Sequence, residues 1–458
     1  MYNKFFIITH LIVVCISQNI FTEYIVNDGD TLDIFSYQVP SLYSDDREHP
    51  LLVAFHQWGG NQNTPYNTTF DEEAEMRNWV FLSPHGGSSN NYNHQEAQDY
   101  TKQAIIWLSE NYSIDQSRIY MVGGSMGGAA GAIYANNHLN PKEPMVAATA
   151  SASGILDCER RAIEMDGNNS MIEWFGGNWD EVPFEYHRNS AVYFADSTQS
   201  MHYNLKYTPL YLDFGVTEPH RTHAEDLYNL LLDYNQNMWI DTEPTGSHGY
   251  SVIDESHACD WLNQYQLVDN PDIINVNLDE PSRAYWVEAS NQLIDDNFIR
   301  LQCRRCYENG YCIDNFNNSD TLVFNILNDI IPDSIQFYNN QQTEIITIGV
   351  TGESPLIPTI SNIEFNPFTN DSIWDNLYQQ ENIIYVNISP GSYSMSFEVN
   401  TDINQDGLWN ILDITILISL VIEDSYPTEI EFINGDVNQD GILDILDIIL
   451  IVSIILEN

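Results

Sequence analysis

RIYMVGGSMGGAAGA, residues Arg118–Ala132, passes through three textures in quick succession. Ile119–Val122 is a short apolar run of the kind that forms a buried strand. Gly123-Gly124-Ser125-Met126-Gly127 spells G-x-S-x-G. From Gly128 to Asn136 the chain is rich in alanine and reads as the start of a helix. A serine squeezed between strand and helix sits on a tight turn, with backbone angles few residues tolerate. Gly123 and Gly127 remove the Cβ atoms that would clash there. The turn lifts the Ser125 hydroxyl above the sheet edge, and the helix N-terminus aims N–H groups at any oxyanion formed beside it.

Working outward, apolar runs alternate with amphipathic ones. Thr31–Gln38, Leu51–Phe55, Val80–Ser83, Met145–Ala152, Pro209–Phe214 and Met238–Thr242 read as strands. Phe70–Arg77, Asp99–Tyr112, His223–Tyr234 and Ala258–Tyr265 read as helices. Such alternation calls for a mostly parallel, doubly wound α/β sheet covered on both faces. Gly154–Tyr207 lacks periodicity and is rich in aromatic residues, among them Trp174, Phe175, Trp179, Phe184 and Tyr186.

Three further stretches bear on Ser125. Gly246-Ser247-His248-Gly249 places a glycine-flanked histidine after the last strand. Glu218 follows the strand before it, with Asp213 and Asp157 as alternative acids. His56-Gln57-Trp58-Gly59-Gly60 ends an early strand. The elbow and the order Ser125, Glu218, His248 resemble the α/β-hydrolases. Closest in pattern are secreted feruloyl and acetyl-xylan esterases and polyester depolymerases. The resemblance implies Ser125 as nucleophile, His248 as base, Glu218 as the acid that orients it, and the backbone N–H groups of Trp58 and Met126 as oxyanion donors. It implies that the Gly154–Tyr207 insertion caps the site, and no cofactor for the chemistry. Gln57 stands where the family usually has glycine. The GGSMGG core is also similar to prolyl-oligopeptidase-type peptidases, although no repeat of propeller-blade period is present.

The chain has 458 residues, 66 acidic and 15 basic, for a net charge of −51. Such a balance argues against nucleic acid and anionic membranes as partners. Phe5–Ile16 behind Lys4 has the shape of a signal peptide, so residues 1–22 are expected to direct secretion to an extracellular setting, and no later stretch looks transmembrane. Cys158, Cys259, Cys303, Cys306 and Cys312 follow. In an exported protein disulfides are the default, and a Cys158–Cys259 bridge is expected, with a disulfide-tied loop among the other three.

Residues 23–267 are therefore expected to form the α/β-hydrolase domain. From Val268 short strand-like runs joined by Asn-rich loops predict a β segment with a Cys-rich loop at 268–320 and a β-sandwich-like module at 321–400.

The last stretch, 401–458, carries a repeat. Asp402, Asn404 and Asp406, with Gly407, recur as Asp436, Asn438 and Asp440, with Gly441. Oxygen side chains at loop positions one, three and five, glycine at six and a carboxylate at twelve are what a calcium loop needs. Leu408 and Ile442 would offer carbonyls at seven, Asn410 and Asp444 stand at nine, and Asp413 and Asp447 at twelve. Each loop runs into an apolar helix, Ile411–Ile422 or Ile445–Leu456. Two such loops resemble a type I dockerin. The resemblance implies two structural calcium ions, a cohesin module as partner, and partner contacts at the identical pairs Ile411-Leu412 and Ile445-Leu446. Together these readings predict a serine esterase acting on acetyl or feruloyl groups of polysaccharides, with a serine peptidase and a non-catalytic dockerin-bearing binding protein as alternatives.

Overall fold

The computed structural model describes residues 19–457, except 219, 308–309, 328–333, 343, 353–359, 368–374, 381–382, 400–401, 405–407, 409, 423–425 and 438–441. The first eighteen residues, which hold most of the expected leader, lie outside the described ones.

The N-terminal half is one eight-stranded sheet. Its strands are β1 (Ile20–Asn27), β2 (Asp30–Gln38), β3 (His49–Phe55), β4 (Val80–Pro84), β5 (Ile114–Gly124), β6 (Ala148–Ala152), β7 (Leu210–Gly215) and β8 (Met238–Glu243). They lie in the order β1-β2-β4-β3-β5-β6-β7-β8. β1 and β2 are antiparallel to their neighbours, and all pairs from β4 to β8 are parallel. This topology is that of an α/β-hydrolase. Strand β1 was not anticipated. It begins inside the span assigned to the leader, since Ile20, Phe21 and Thr22 pair with Gln38, Tyr37 and Ser36.

Helices cover both faces. They are α1 (Phe70–Arg77), α2 (Gln95–Asn111), α3 (Met126–Asn137), α4 (Cys158–Glu164), α5 (Ile172–Phe175), α6 (Pro183–Arg188), α7 (Arg221–Leu231) and α8 (Glu255–Leu262). Alternate residues of the central strands go to opposite sides. Leu51, Val53, Ile119, Met121, Leu210 and Leu212 join α2, α3 and α7 in one core. Leu52, Ala54, Tyr120, Val122 and Tyr211 join α1 and α8 in the other. That two-residue alternation inside wholly apolar strands is what a sheet buried on both faces requires.

Local chemistry sets the helix ends. Asn78, left-handed at φ 60°, ends α1. His94 starts α2 by accepting from the Ala97 N–H, four residues earlier than the sequence suggests. Asp157 and Asp254 cap α4 and α8 by accepting from Arg160 and His257 N–H groups.

The expected cap is present between β6 and β7, and its aromatic residues mainly pack against one another. Phe175 and Tyr186 are buried with Met171, Cys158 and Met126, and Trp174 and Trp179 pack on them. Phe184 instead meets Phe298 of the following module, with ring centroids 4.9 Å apart.

Cys158 and Cys259 are both free, which corrects the expected bridge. Cys158 opens α4 inside the cap cluster, where its thiol donates to the Asn189 carbonyl at 3.1 Å. Cys259 lies on α8, in the apolar core on one face of the sheet. The two thiols belong to separate apolar clusters. Burial pushes the Cys158 thiol up to about 12, and burial raises Cys259 as well. Cys306 and Cys312 are bonded, and Cys303 is a free, buried core residue.

Among the described residues of 273–399, the strands form two six-stranded mixed sheets around one core. Val287–Ala289 pairs with Thr321–Leu327 in one sheet, and Gly310–Asn317 pairs with Ser334–Asn339 in the other. The expected division at 320 therefore falls inside both sheets. Ile299–Arg305 and Gly310–Asn317, read from sequence as a Cys-rich loop, are a hairpin. This module packs on the hydrolase unit through Leu139 and Met145, which join its core, and through the Arg188–Asp279 ion pair.

The last stretch holds α9 (Ile411–Ile422), α10 (Glu429–Gly435) and α11 (Ile445–Glu457). Helix α10, unpredicted, starts with a capping box in which Thr428 and Glu431 serve each other's backbone N–H. Among the described residues no helix is long and apolar enough to cross a membrane.

Candidate active site

Ser125 joins β5 to α3 with φ 57° and ψ −119°, a strained conformation for a residue with a side chain. Its neighbours hold it there. The Ser125 N–H donates to the Ala152 carbonyl at 2.8 Å, and the Gly128 N–H donates to the Ser125 carbonyl at 3.0 Å. The turn is so tight that a Cβ on Gly123 would stand 2.1 Å from the Gly127 carbonyl oxygen. One on Gly127 would stand 2.5 Å from that of His56. Glycine at both positions is therefore a packing requirement, and the second contact sets the His56–Gly60 loop directly against the elbow.

Three side chains meet at the rim of the sheet. The Ser125 hydroxyl lies 2.7 Å from His248 Nε2. His248 Nδ1 lies 2.9 Å from Glu218 Oε2. Ser125 comes from the end of β5, Glu218 from the loop after β7, and His248 from the loop after β8. The Glu218 side chain is fully buried, whereas the His248 side chain is 39% exposed, so the imidazole faces solvent and the carboxylate stands behind it.

The alternative acids are engaged elsewhere. Asp157 accepts from the Arg160 and Phe194 N–H groups. Asp213 accepts from its neighbour Phe214 N–H. Burial, with Asp241, Glu243 and Glu218 nearby, pushes the Asp213 carboxyl up to about 7.

The His248 loop is pinned by residues that sequence reasoning did not single out. Ser251 Oγ accepts from the His248 N–H and donates to the His248 carbonyl. The Gly249 N–H donates to Ser153 Oγ at 3.0 Å, and Tyr250 Oη donates to the Phe55 carbonyl at 2.5 Å. Gln57 finds a place here too. A Cβ on Gly249, whose φ is +64°, would stand 2.0 Å from Gln57 Oε1. The loop that bears Trp58 thus interlocks with the loop that bears His248.

Met126 is the first residue of α3, so its N–H has no partner within the helix. Its carbonyl accepts from Asn93 Nδ2, and its sulfur meets the Tyr92 N–H. Trp58 is exposed. His56 anchors its loop, with Nδ1 2.9 Å from the Gln57 carbonyl and Nε2 2.8 Å from the His85 carbonyl. Burial holds the His56 pKa below its usual value.

In the tail, Asp413 folds back over the start of its own loop. Its Oδ1 accepts from the Ile403 and Asn404 N–H groups and its Oδ2 from that of Asn410. Asp447 Oδ2 accepts from the Asp444 N–H in the same way. Both carboxylates are fully buried, and Asp402 and Asp436 are nearly so. Residues 401–458 contain twelve acidic side chains and no Lys, Arg or His. No basic side chain of this segment can offset four buried acids, so the donor set fits a hard divalent cation. Asp406, Asn438 and Asp440 lie outside the described residues. Leu408, Ile411, Leu412, Ile442, Ile445 and Leu446 are exposed.

Comparison with known proteins gives two findings. Residues 400–456 match the family model of the dockerin type I domain. The hydrolase unit is similar in fold to the fluorophosphonate-binding serine hydrolase F of Staphylococcus aureus, at 14% identity over 54% of this chain and 98% of that one, with a TM-score of 0.43. It is likewise similar to an esterase of Pyrobaculum calidifontis (16% identity, 54% and 85% coverage, TM-score 0.40). A ferulic acid esterase gives 14%, 54%, 96% and 0.38 for the same four measures. A search of the curated proteins gives no match.

Proposed function

We propose that this protein is a secreted serine esterase that hydrolyses carboxylic esters, with acetyl or feruloyl groups on polysaccharides as substrates. A single observation carries the reading. An unbroken hydrogen-bonded line runs from Ser125 through His248 to a buried carboxylate, Glu218, at 2.7 and 2.9 Å. His248 Nε2 takes the Ser125 proton as Oγ attacks the ester carbonyl carbon. Glu218 holds the Nδ1–H tautomer and stabilises the imidazolium that forms. The N–H groups of Met126 and Trp58 receive the oxyanion. Collapse of the tetrahedral species expels the alcohol, which takes its proton from His248, and leaves Ser125 acylated. Water, deprotonated by His248, then releases the acid.

The tail docks the enzyme. Two calcium ions, one held by Asp402, Asn404, Asp406, Leu408, Asn410 and Asp413 and one by Asp436, Asn438, Asp440, Ile442, Asp444 and Asp447, order the two loops. The exposed pairs Ile411-Leu412 and Ile445-Leu446 then face a cohesin module. The dockerin match at 400–456 supports this part of the reading.

The test is turnover of p-nitrophenyl acetate and methyl ferulate by wild type and Ser125→Ala. The variant is expected to lose turnover of both. Undiminished turnover would remove Ser125 from the mechanism, and cleavage of proline-containing peptides without ester turnover would replace the esterase by a peptidase.

A further inference from the structure

Glu164, the last residue of α4, gathers four nitrogen-bearing side chains. His220 Nδ1 lies 3.1 Å away, Arg161 Nη1 3.4 Å, His223 Nε2 3.5 Å and Arg160 Nε 3.7 Å. Glu164, His220 and His223 bring their donor atoms within 4.8 Å of one another, as a metal site would. The tautomer of His223 speaks against that use. This ring is fully buried, and its Nδ1 accepts from the backbone N–H groups of Leu156 and Asp157 at 3.1 and 3.3 Å. The ring proton must therefore sit on Nε2, which leaves no lone pair there for a metal. It points instead toward Glu164. Against the pull of burial, the imidazole N–H groups of His220 and His223 hold the Glu164 carboxyl below the usual carboxylate range. Glu164 is thus ionised, and His220 donates to it through Nδ1–H.

The His220 ring, fixed in this way, stands against the ring of His248. Their centroids are 5.7 Å apart and their planes cross at 69°. His220 lies two residues after Glu218, so the same loop supplies the acid that grips His248 at one nitrogen and the ring that flanks it. Hydrogen bonds at Nδ1 and Nε2 alone let an exposed imidazole swing out toward solvent. A ring wall on one side removes part of that freedom.

We propose that His220, oriented by Glu164, is a positioning residue that confines His248 between Ser125 and Glu218 and ties the cap to the base. This rests on the esterase reading above. The titratable and charged groups facing His220 are Glu164 and Arg161 from α4, His223 from α7 and His248 from the loop after β8. Those facing His248 are Glu218 and His220.

The experiment uses the full calcium-loaded chain. His220→Ala, His220→Phe and Glu164→Gln are compared with wild type for kcat, KM, the pH profile of kcat/KM and the rate of fluorophosphonate labelling. His220→Ala is expected to lower kcat and labelling about tenfold or more, as a loosened catalytic geometry does. KM should hold, and the acid limb of the pH profile should move. His220→Phe returns a ring and should recover most of kcat. Glu164→Gln should fall between wild type and His220→Ala. Wild-type kcat with an unmoved acid limb in His220→Ala would overturn the proposal. So would equal loss in the Ala and Phe variants with an unmoved limb and a lowered melting temperature, because that pattern describes cap support alone. Ser125→Ala, run in parallel, separates the two readings: if it retains turnover, the esterase reading itself has failed.

Discussion

Glu218→Gln isolates the electrostatic part of the site. The substitution keeps the shape of the side chain and removes its charge. In the proposed mechanism His248 becomes an imidazolium in the transition state; its Nδ1 lies 2.9 Å from Glu218 Oε2, which sets the two charge centres about 4 Å apart. Glu218 is fully buried but His248 is 39% exposed, so a dielectric of about 20 suits the pair better than the value for a dry interior. At that distance and dielectric the attraction is about 4 kcal/mol. Each 1.36 kcal/mol is a tenfold change in rate, so kcat should fall by about three orders of magnitude. The assay is steady-state hydrolysis of p-nitrophenyl acetate at neutral pH, with fluorophosphonate labelling of Ser125 as a second readout. Asp213→Asn and Asp157→Asn serve as the contrast, since both acids have other partners. They should stay within about tenfold of wild type. A Glu218→Gln enzyme within tenfold of wild type, or an Asp213→Asn enzyme as impaired as Glu218→Gln, would refute the assignment of the acid.

Asp213 gives a prediction of stability against pH. Its folded-state pKa is raised from 3.8 to about 7, chiefly by burial. Between those values the folded chain holds a proton that the unfolded chain has lost, so this group's contribution falls as pH rises through the window. Asp213→Asn should therefore gain melting temperature relative to wild type between pH 4 and pH 7, and a constant difference across that range would contradict the raised pKa. Chelation of calcium should melt the helices near 401–458, seen as lost helical circular dichroism and faster proteolysis there, while ester turnover persists; equal loss of both would couple the two ends of the chain. Of the five cysteines beyond residue 22, alkylation of the denatured, unreduced protein should label Cys158, Cys259 and Cys303 and spare Cys306 and Cys312. A linked Cys158–Cys259 peptide would restore the expected bridge.

What could be read in the sequence follows from how far apart its determinants lie. The elbow was legible because part of its constraint is local: a Cβ on Gly123 would meet the carbonyl of Gly127 four residues on. The dockerin tail was legible for the same reason, since a repeat whose oxygen side chains fall within twelve positions declares itself by spacing. The strand–helix alternation of residues 30–262 was legible because apolar periodicity is also local. Strand β1 was missed because the apolar residues beside it read as a leader. The hairpin at 299–317 was missed because Ile299, Leu301 and Cys303 turn inward while Arg300, Gln302 and Arg304 turn outward, and the charges and cysteines drew attention from that alternation.

Long-range features were legible only where a fixed fold places the elements that must converge. The Cys158–Cys259 bridge was inferred from positions along the chain, and the structure places those positions in different apolar clusters. Ser125, Glu218 and His248 are as far apart in sequence, yet their convergence was legible, because a fixed fold brings the ends of β5, β7 and β8 to one rim. Glu164 belongs to the cap, which no shared pattern places, and its approach to His220 depends on where α4 comes to rest. His220 could have been noticed for its distance of two residues from Glu218, but only the folded position of Glu164 explains why its ring is fixed. The hydrogen bonds from Leu156 and Asp157 to His223 lie at the junction of β6 and the cap. The cap therefore connects to the base through a run of oriented side chains, and a change in the cap should reach kcat before it reaches the overall stability of the sheet.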